Sequence, residues 1–218
     1  MLDAASRRKP HIAVLVRKPC RWLRSKIAGV PTPGRDLAVH PLVAFYRDGA
    51  PDDRGRTLAE ILSWDDDRLE AVHDFIQWLF PLSEPSGANP SAPTLDSAAI
   101  AAFQASPEMQ QRLRQSFDRM VRFYGFAGSP SASPDPSSPG PVPTIVRSPS
   151  FAARARNWLH PMNHNHLRLT RILRSTLLLG LEAESKALFH ALNAIYREFP
   201  DRIPARTHAF WSDASRSV

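Results

Sequence analysis

One cysteine, Cys20, stands in 218 residues. It excludes an internal disulfide framework and a zinc site built on cysteines. A chain so poor in thiol pairs suits a reducing compartment, so a cytoplasmic or otherwise intracellular location is expected. Long apolar runs are also lacking. The longest near the N-terminus, Ile12–Val16, falls far below the ~20 residues of a spanning helix, and it is too short for the core of a secretory leader. Neither a transmembrane segment nor a leader is expected. Glycines number only nine, and no Gly-rich phosphate loop, nucleophile elbow or His-Glu-x-x-His string occurs. With no acid/base pair or activated nucleophile on view, no catalytic residue is nominated, and neither an enzyme nor a cofactor is expected.

Proline is abundant instead, at twenty-one, and it is clustered. Residues 127–150 hold seven prolines and seven serines in twenty-four positions, so they read as a flexible linker or long loop. Charge is uneven. Residues 1–40 carry nine Lys/Arg and two Asp, a net +7, whereas residues 41–218 carry nineteen of each sign and sum to zero. The first 41 residues read as a basic, flexible arm, and nucleic acid stays open as its partner. Within the neutral part, Arg47–Asp74 holds nine carboxylates and four arginines, while Arg147–Arg174 holds six arginines and no acid. Two opposed segments of this kind complement each other or are simply solvated.

Between the punctuation the apolar residues recur at spacings of three and four, the period of a helix. Thr57 caps a short helix through Leu62. Asp65 or Asp66 caps the next, which the stripe Leu69, Val72, Ile76 and Leu79 carries to Phe80, where Pro81 stops it. Thr94 or Asp96 opens a helix with Ile100 and Phe103. Ser106-Pro107-Glu108 opens another that ends at Gly125. Further helices are expected over Asn165–Leu179, Glu184–Phe199 and Ala205–Ala214. No segment alternates convincingly with period two. The fold class is therefore all-α: one compact domain of six or seven helices over residues 42–212, interrupted by the loop 127–150, with 213–218 as a tail.

The leading site candidate is Asn163–Arg174. Asn163 or Asn165 caps its helix, and Arg168, Arg171 and Arg174 follow at steps of three. Each step drifts by ~60°, so the three share a sector of about 120°. Guanidinium groups so arranged suit phosphate or carboxylate, or they pair with the acidic segment Asp48–Asp74 and fix the packing of the two halves. Arg168, Arg171, Arg174, His164 and Asn165 are the candidate binding residues. His160, His164 and His166 invite a metal reading, but Pro161 disfavours a helix through all three and no carboxylate or cysteine is near in sequence, so no metal site is expected. Trp64, Trp78, Trp158 and Trp211 read as core aromatics.

The string His73–Leu82, HDFIQWLFPL, is apolar nearly all round and belongs at the centre of the fold. With the following loop Ser83–Pro93 it resembles the signature of the opioid growth factor receptor domain. Phe45-Tyr46-Arg47 resembles that family's opening motif, and Phe123-Tyr124-Gly125 the end of its middle helix. Asn157-Trp158, the run His164–Arg174 and Leu179-Gly180-Leu181-Glu182 resemble its second block. The motifs stand in the family's order over roughly residues 42–211, with His73, Gln77, Trp78, Phe80 and Trp158 as structural signature residues. The repeat-rich C-terminal tail of the vertebrate receptor is absent from these 218 residues. The resemblance implies a non-catalytic, receptor-type module that binds a peptide or protein, an opioid peptide (Met-enkephalin) in the vertebrate case, with nuclear and nuclear-membrane locations. The alternative from the residues themselves is a phosphate- or nucleic-acid-binding helical protein using the 147–174 arginines and the basic arm.

Overall fold

The computed structural model describes residues 39–130 and 143–216, so most of the basic arm expected over residues 1–41 lies outside the described residues. A single turn, α1 (Pro41–Val43), runs into a π-helical turn over Ala44–Asp48. His40 anchors this entry: its Nδ1 accepts from the Leu42 amide and its Nε2 bonds Thr94 O. The turn delivers Leu42, Phe45 and Tyr46 to the core with no measurable exposure. Next come α2 (Leu58–Ser63), α3 (Asp66–Ala71) and the single turn α4 (Ile76–Leu79). Thr57 and Glu60 form a reciprocal capping box on α2, and Asp65 caps α3 from the Arg68 amide. Asp96 caps α5 (Ser97–Ala105), and Ser106 caps α6 (Pro107–Phe123), with Pro107 in its first turn.

The second half is built on α7 (Phe151–Arg154), α8 (Asn165–Leu178), α9 (Glu182–Glu198) and α10 (Ala205–Ala214). The described residues therefore hold ten helices, and the fold is predominantly helical as expected. The number exceeds six or seven because single turns link the longer helices. Helix α10 also carries the domain two residues past the expected boundary at 212. Among the described residues, no helix is long and apolar enough to cross a membrane.

Two features depart from the sequence expectations. A two-stranded antiparallel sheet pairs β1 (Phe126–Pro130) with β2 (Pro143–Arg147), in the register Phe126↔Arg147 to Pro130↔Pro143. The loop expected over 127–150 thus has paired strands at its ends, and residues 131–142 lie outside the described residues. Glycine is required where α6 enters β1. Gly125 sits at φ 85°, and a Cβ there would lie 2.8 Å from the Phe151 Cα.

The second departure is the helix expected from Asp66 to Phe80, which breaks after Ala71. Val72 is extended at φ −93°, ψ 132°. Its carbonyl and that of Leu69 are taken by the guanidinium of Arg168 at 2.7 Å and 3.0 Å, so a tertiary donor replaces the continuing helix. The apolar stripe survives the break: Leu69, Ile76 and Leu79 are all buried, and Val72 packs at the edge of the same core.

One core runs through both halves. Trp158 and Trp211 are fully buried, and their indole N–H groups donate to Tyr124 O and His166 O. Tyr46 donates to Leu79 O, joining the entry turn to α4. The acidic segment finds arginine partners: Asp66 holds both Arg119 and Arg154, and Arg56 bridges Asp52 and Asp74. Trp78 is buried against Phe45, with its indole N–H donating to Asp53. Trp78→Ala is expected to cost about 3–5 kcal/mol of stability, read from urea unfolding of the full chain. A loss below about 1 kcal/mol would place this side chain outside the packed core.

Candidate functional site

The start of α8 is set by Asn163, whose Oδ1 accepts from the Asn165 amide at 2.8 Å. Its Nδ2 donates to Asn157 O and lies 2.7 Å from His160 Nε2. The three histidines then diverge. His160 stays with Asn163, His166 turns inward to Trp158 O at 3.0 Å, and His164 meets His73 ring to ring at 4.7 Å. Burial pushes the His166 pKa down. Burial also lowers His164, with the Arg168 charge adding to the effect. His164 Nε2 lies 3.4 Å from a Glu70 oxygen but is not aligned for a hydrogen bond. With its pKa depressed the ring is neutral near pH 7, so this approach is not an ion pair.

The arginines at steps of three occupy three different environments. Arg168 is only 5% exposed. Besides Leu69 O and Val72 O it donates to Asn165 Oδ1, lies 3.3 Å from His73 Nδ1 and sits over the Phe75 ring. Arg171 is half-buried and donates to Phe80 O at 3.1 Å. Arg174 is exposed and pairs with Glu84, which holds that carboxyl below its ordinary pKa. Burial lowers the Arg168 and Arg171 pKa values, in Arg171 with help from Arg174. Both remain cations at neutral pH, since an arginine does not release its proton in a protein.

The expectation that the arginine triple bridges to carboxylates of the acidic segment is therefore corrected. Arg168 reaches that segment through backbone carbonyls, and Arg174 pairs outside it. The link to an acid comes from Arg154 to Asp66 and from Asn165, whose Nδ2 donates to Glu70 at 3.0 Å. Asn165 is fully buried, and its Oδ1 lies 3.4 Å from the Tyr124 hydroxyl.

Four of these residues line a groove of about 470 Å³. One wall is α8, with His164, Leu167, Arg168, Thr170, Arg171 and Arg174. The other is His73, Gln77, Leu82 and the loop Pro85–Ala88. Gln77 is buried; its Nε2 donates to Ser86 Oγ at 3.2 Å, and its Oε1 has no partner among the described residues. Leu82, Thr170 and Arg174 also border a second groove of about 680 Å³, whose lining includes the apolar Leu177, Leu178 and Phe210 and the charged Glu84, Glu182, Asp213 and Arg216. Leu167 and Phe210 are exposed large apolar residues on these two grooves.

The structure thus brings together His164, Arg168, Arg171 and Arg174 with two signature residues, His73 and Gln77, and places Asn165 beneath them. Trp78, Phe80 and Trp158 belong to the core instead. Sequence reasoning passed over Glu70, Ser86 and Gly87. The usable signal was Gln77, the one amide inside an apolar string.

The chain matches the model of the opioid growth factor receptor (OGFr) conserved region over residues 45–194, which includes every residue lining the first groove. It is 39% identical over 131 residues to the opioid growth factor receptor of Rattus norvegicus, covering 59% of this chain and 21% of that protein. The Homo sapiens receptor is 37% identical over 148 residues, 65% of this chain and 20% of its own length. Opioid growth factor receptor-like protein 1 of Mus musculus is 32% identical over 149 residues, 64% of this chain and 28% of its own. The matched region is therefore about a fifth to a quarter of these curated relatives. No solved structure matches the chain.

The environments of the arginines separate their substitutions. Arg168→Gln, and Arg168→Lys as well, should lower stability by about 2–4 kcal/mol, because neither side chain reproduces the fork that satisfies two buried carbonyls. Arg174→Gln should change it by less than about 0.5 kcal/mol. Equal effects in chemical denaturation would contradict this division.

A pH dependence follows from the histidines. His166 titrates lower when folded than when unfolded, so below its unfolded pKa of ~6.5 the unfolded chain binds more protons. Stability should fall as pH drops from about 6.5 to 5.5, and His166→Gln should flatten that fall. An unchanged slope in pH-resolved denaturation would remove His166 as its source.

Proposed function

The chain belongs to the opioid growth factor receptor family, and on that premise we propose that it is a non-catalytic module that binds a peptide or protein segment along the α8 groove. The observation that carries this reading is the junction of the family's two sequence blocks. His73 and Gln77 of the first block line one open cleft with His164, Arg168 and Arg171 of the second, His73 touching His164 and Arg168 at their junction. That cleft borders a second, mainly apolar groove through Leu82, Thr170 and Arg174. An extended segment with apolar side chains and a few polar groups suits such a surface. The relatives are named for an opioid growth factor, so an opioid peptide such as Met-enkephalin is the first ligand to try.

The phosphate- or nucleic-acid-binding alternative draws less support. Of the six arginines between 147 and 174, Arg147 pairs with Glu198, Arg154 with Asp66 and Arg174 with Glu84, while Arg168 is buried. A polyanion needs several exposed cations together, and on this surface Arg156 and Arg171 alone are left with neither a carboxylate partner nor full burial among the described residues.

Gly87 supplies the test. It lines the cleft, and a Cβ placed on it meets nothing within 4 Å. Gly87→Trp therefore adds bulk at the edge of the cleft with no clash at its Cβ. Met-enkephalin and peptides selected from a random display library should bind the full chain saturably in calorimetry and lose at least about tenfold in affinity to Gly87→Trp. Selected peptides that bind the variant and the parent chain equally would refute the assignment.

A further inference from the structure

The first groove contains an imbalance of charge. Arg168 and Arg171 both line it, one buried and one half-buried, and neither has a carboxylate within 4 Å among the described residues. Their hydrogen bonds go to neutral acceptors: Leu69 O, Val72 O and the Asn165 amide for Arg168, and Phe80 O for Arg171. The nearby acids are engaged elsewhere. Glu70 accepts from Asn165 and Glu84 pairs with Arg174. Glu70 acts on Arg168 and Glu84 on Arg171 only through space, and two partly desolvated cations with no directly paired carboxylate are costly in a closed protein. Arg171 uses one N–H on Phe80 O, and its other donors have no bond to a described residue.

The same groove presents an unmet acceptor. Gln77 is 4% exposed, and its Oε1 is buried without a partner. A buried amide oxygen in that condition calls for an N–H donor. The groove lining therefore holds cationic donors for an anion and a buried, unpartnered amide oxygen that an N–H donor would satisfy.

We propose that the groove holds a subsite for the C-terminal residue of a peptide, with Arg171 receiving the carboxylate and Gln77 Oε1 receiving the N–H of the same residue. This rests on the peptide-binding reading above and names the group that anchors the peptide. A phosphate supplies acceptors only, so it meets the arginine and leaves Gln77 unmet. Longer polyanions also run into Glu84, and into Glu182 and Asp213 of the adjoining groove. A terminal carboxylate on an otherwise apolar residue meets Arg171 and Gln77 and places its side chain against Leu82 and Leu167, which line the same groove.

The test uses the full chain and three probes followed by NMR: N-acetyl-glycyl-leucine as the free acid, the same compound as its C-terminal amide, and inorganic phosphate. The free acid should shift the Arg171 Nε–H and Gln77 side-chain amide signals, and the amide should bind at least about tenfold more weakly, the loss of one charge-assisted bond. Arg171→Gln should abolish the preference for acid over amide. Arg171→Lys, which keeps the charge and the fold should the Gln variant unfold, should retain part of it. Equal binding of acid and amide overturns the subsite and leaves the peptide-binding reading standing, provided that display-selected peptides still bind. Phosphate binding at Arg171 as tightly as the acid overturns it in favour of an inorganic anion site. If neither dipeptide nor any selected peptide binds, the subsite and the reading fall together.

Discussion

The guanidinium of Arg168 holds the two halves of this molecule in register. It is buried without a carboxylate and is satisfied by the carbonyls that end α3 and by the amide of Asn165. The C-terminal carbonyls of a helix carry partial negative charge, so a cation there is favourable even where no acid is present. A six-residue helix such as α3 has no stability of its own. Its end is defined by a donor that arrives from 99 residues away along the chain. Asn165 extends the tie sideways to Glu70 and Tyr124.

The groove follows from the same contact. Because the chain turns extended at Val72, His73 lies beside Arg168 and His164, and Gln77 comes to rest on the opposite wall. Had the helix run unbroken from Asp66 to Phe80, this wall would have been a continuous helix face. The neutrality of residues 41–218 as a whole conceals the local pattern. Asp66 pairs with two arginines from different helices, Glu84 pairs with Arg174, and Arg171 in the groove has no directly paired carboxylate.

What was legible in the sequence was short in range. The caps at Thr57, Asp65, Asp96 and Ser106 need only a hydroxyl or carboxylate three residues before an amide, and all four are made. The spacing of Leu188, Leu192, Ile195 and Phe199 marks α9, where the first three are buried and Phe199 packs at the edge of the core. The hairpin was not legible, because its pairing of Phe126 with Arg147 spans the Pro/Ser-rich stretch and the β2 sequence Pro143-Thr144-Ile145-Val146-Arg147 does not alternate polar with apolar residues. For the site, the spacing of the arginines was legible and their separate environments were not. Steps of three drift by ~60° around a helix, and on α8 that drift carries the series from the core at Arg168, through the groove wall at Arg171, to the surface at Arg174.

The sequence by itself determined the helical class, most helix starts, the aromatic core and the family, since each rests on local hydrogen bonding or on apolar spacing that repeats within a few residues. The tertiary structure decided where the Asp66–Phe80 segment breaks, which arginine is structural and which is left without a directly paired carboxylate, and that His73 and Gln77 line one groove with His164 and Arg171. Those outcomes depend on carbonyls and guanidinium groups about ninety residues apart in the chain. Once desolvated together, such groups must satisfy one another, and no local pattern along the chain encodes which pairs will meet.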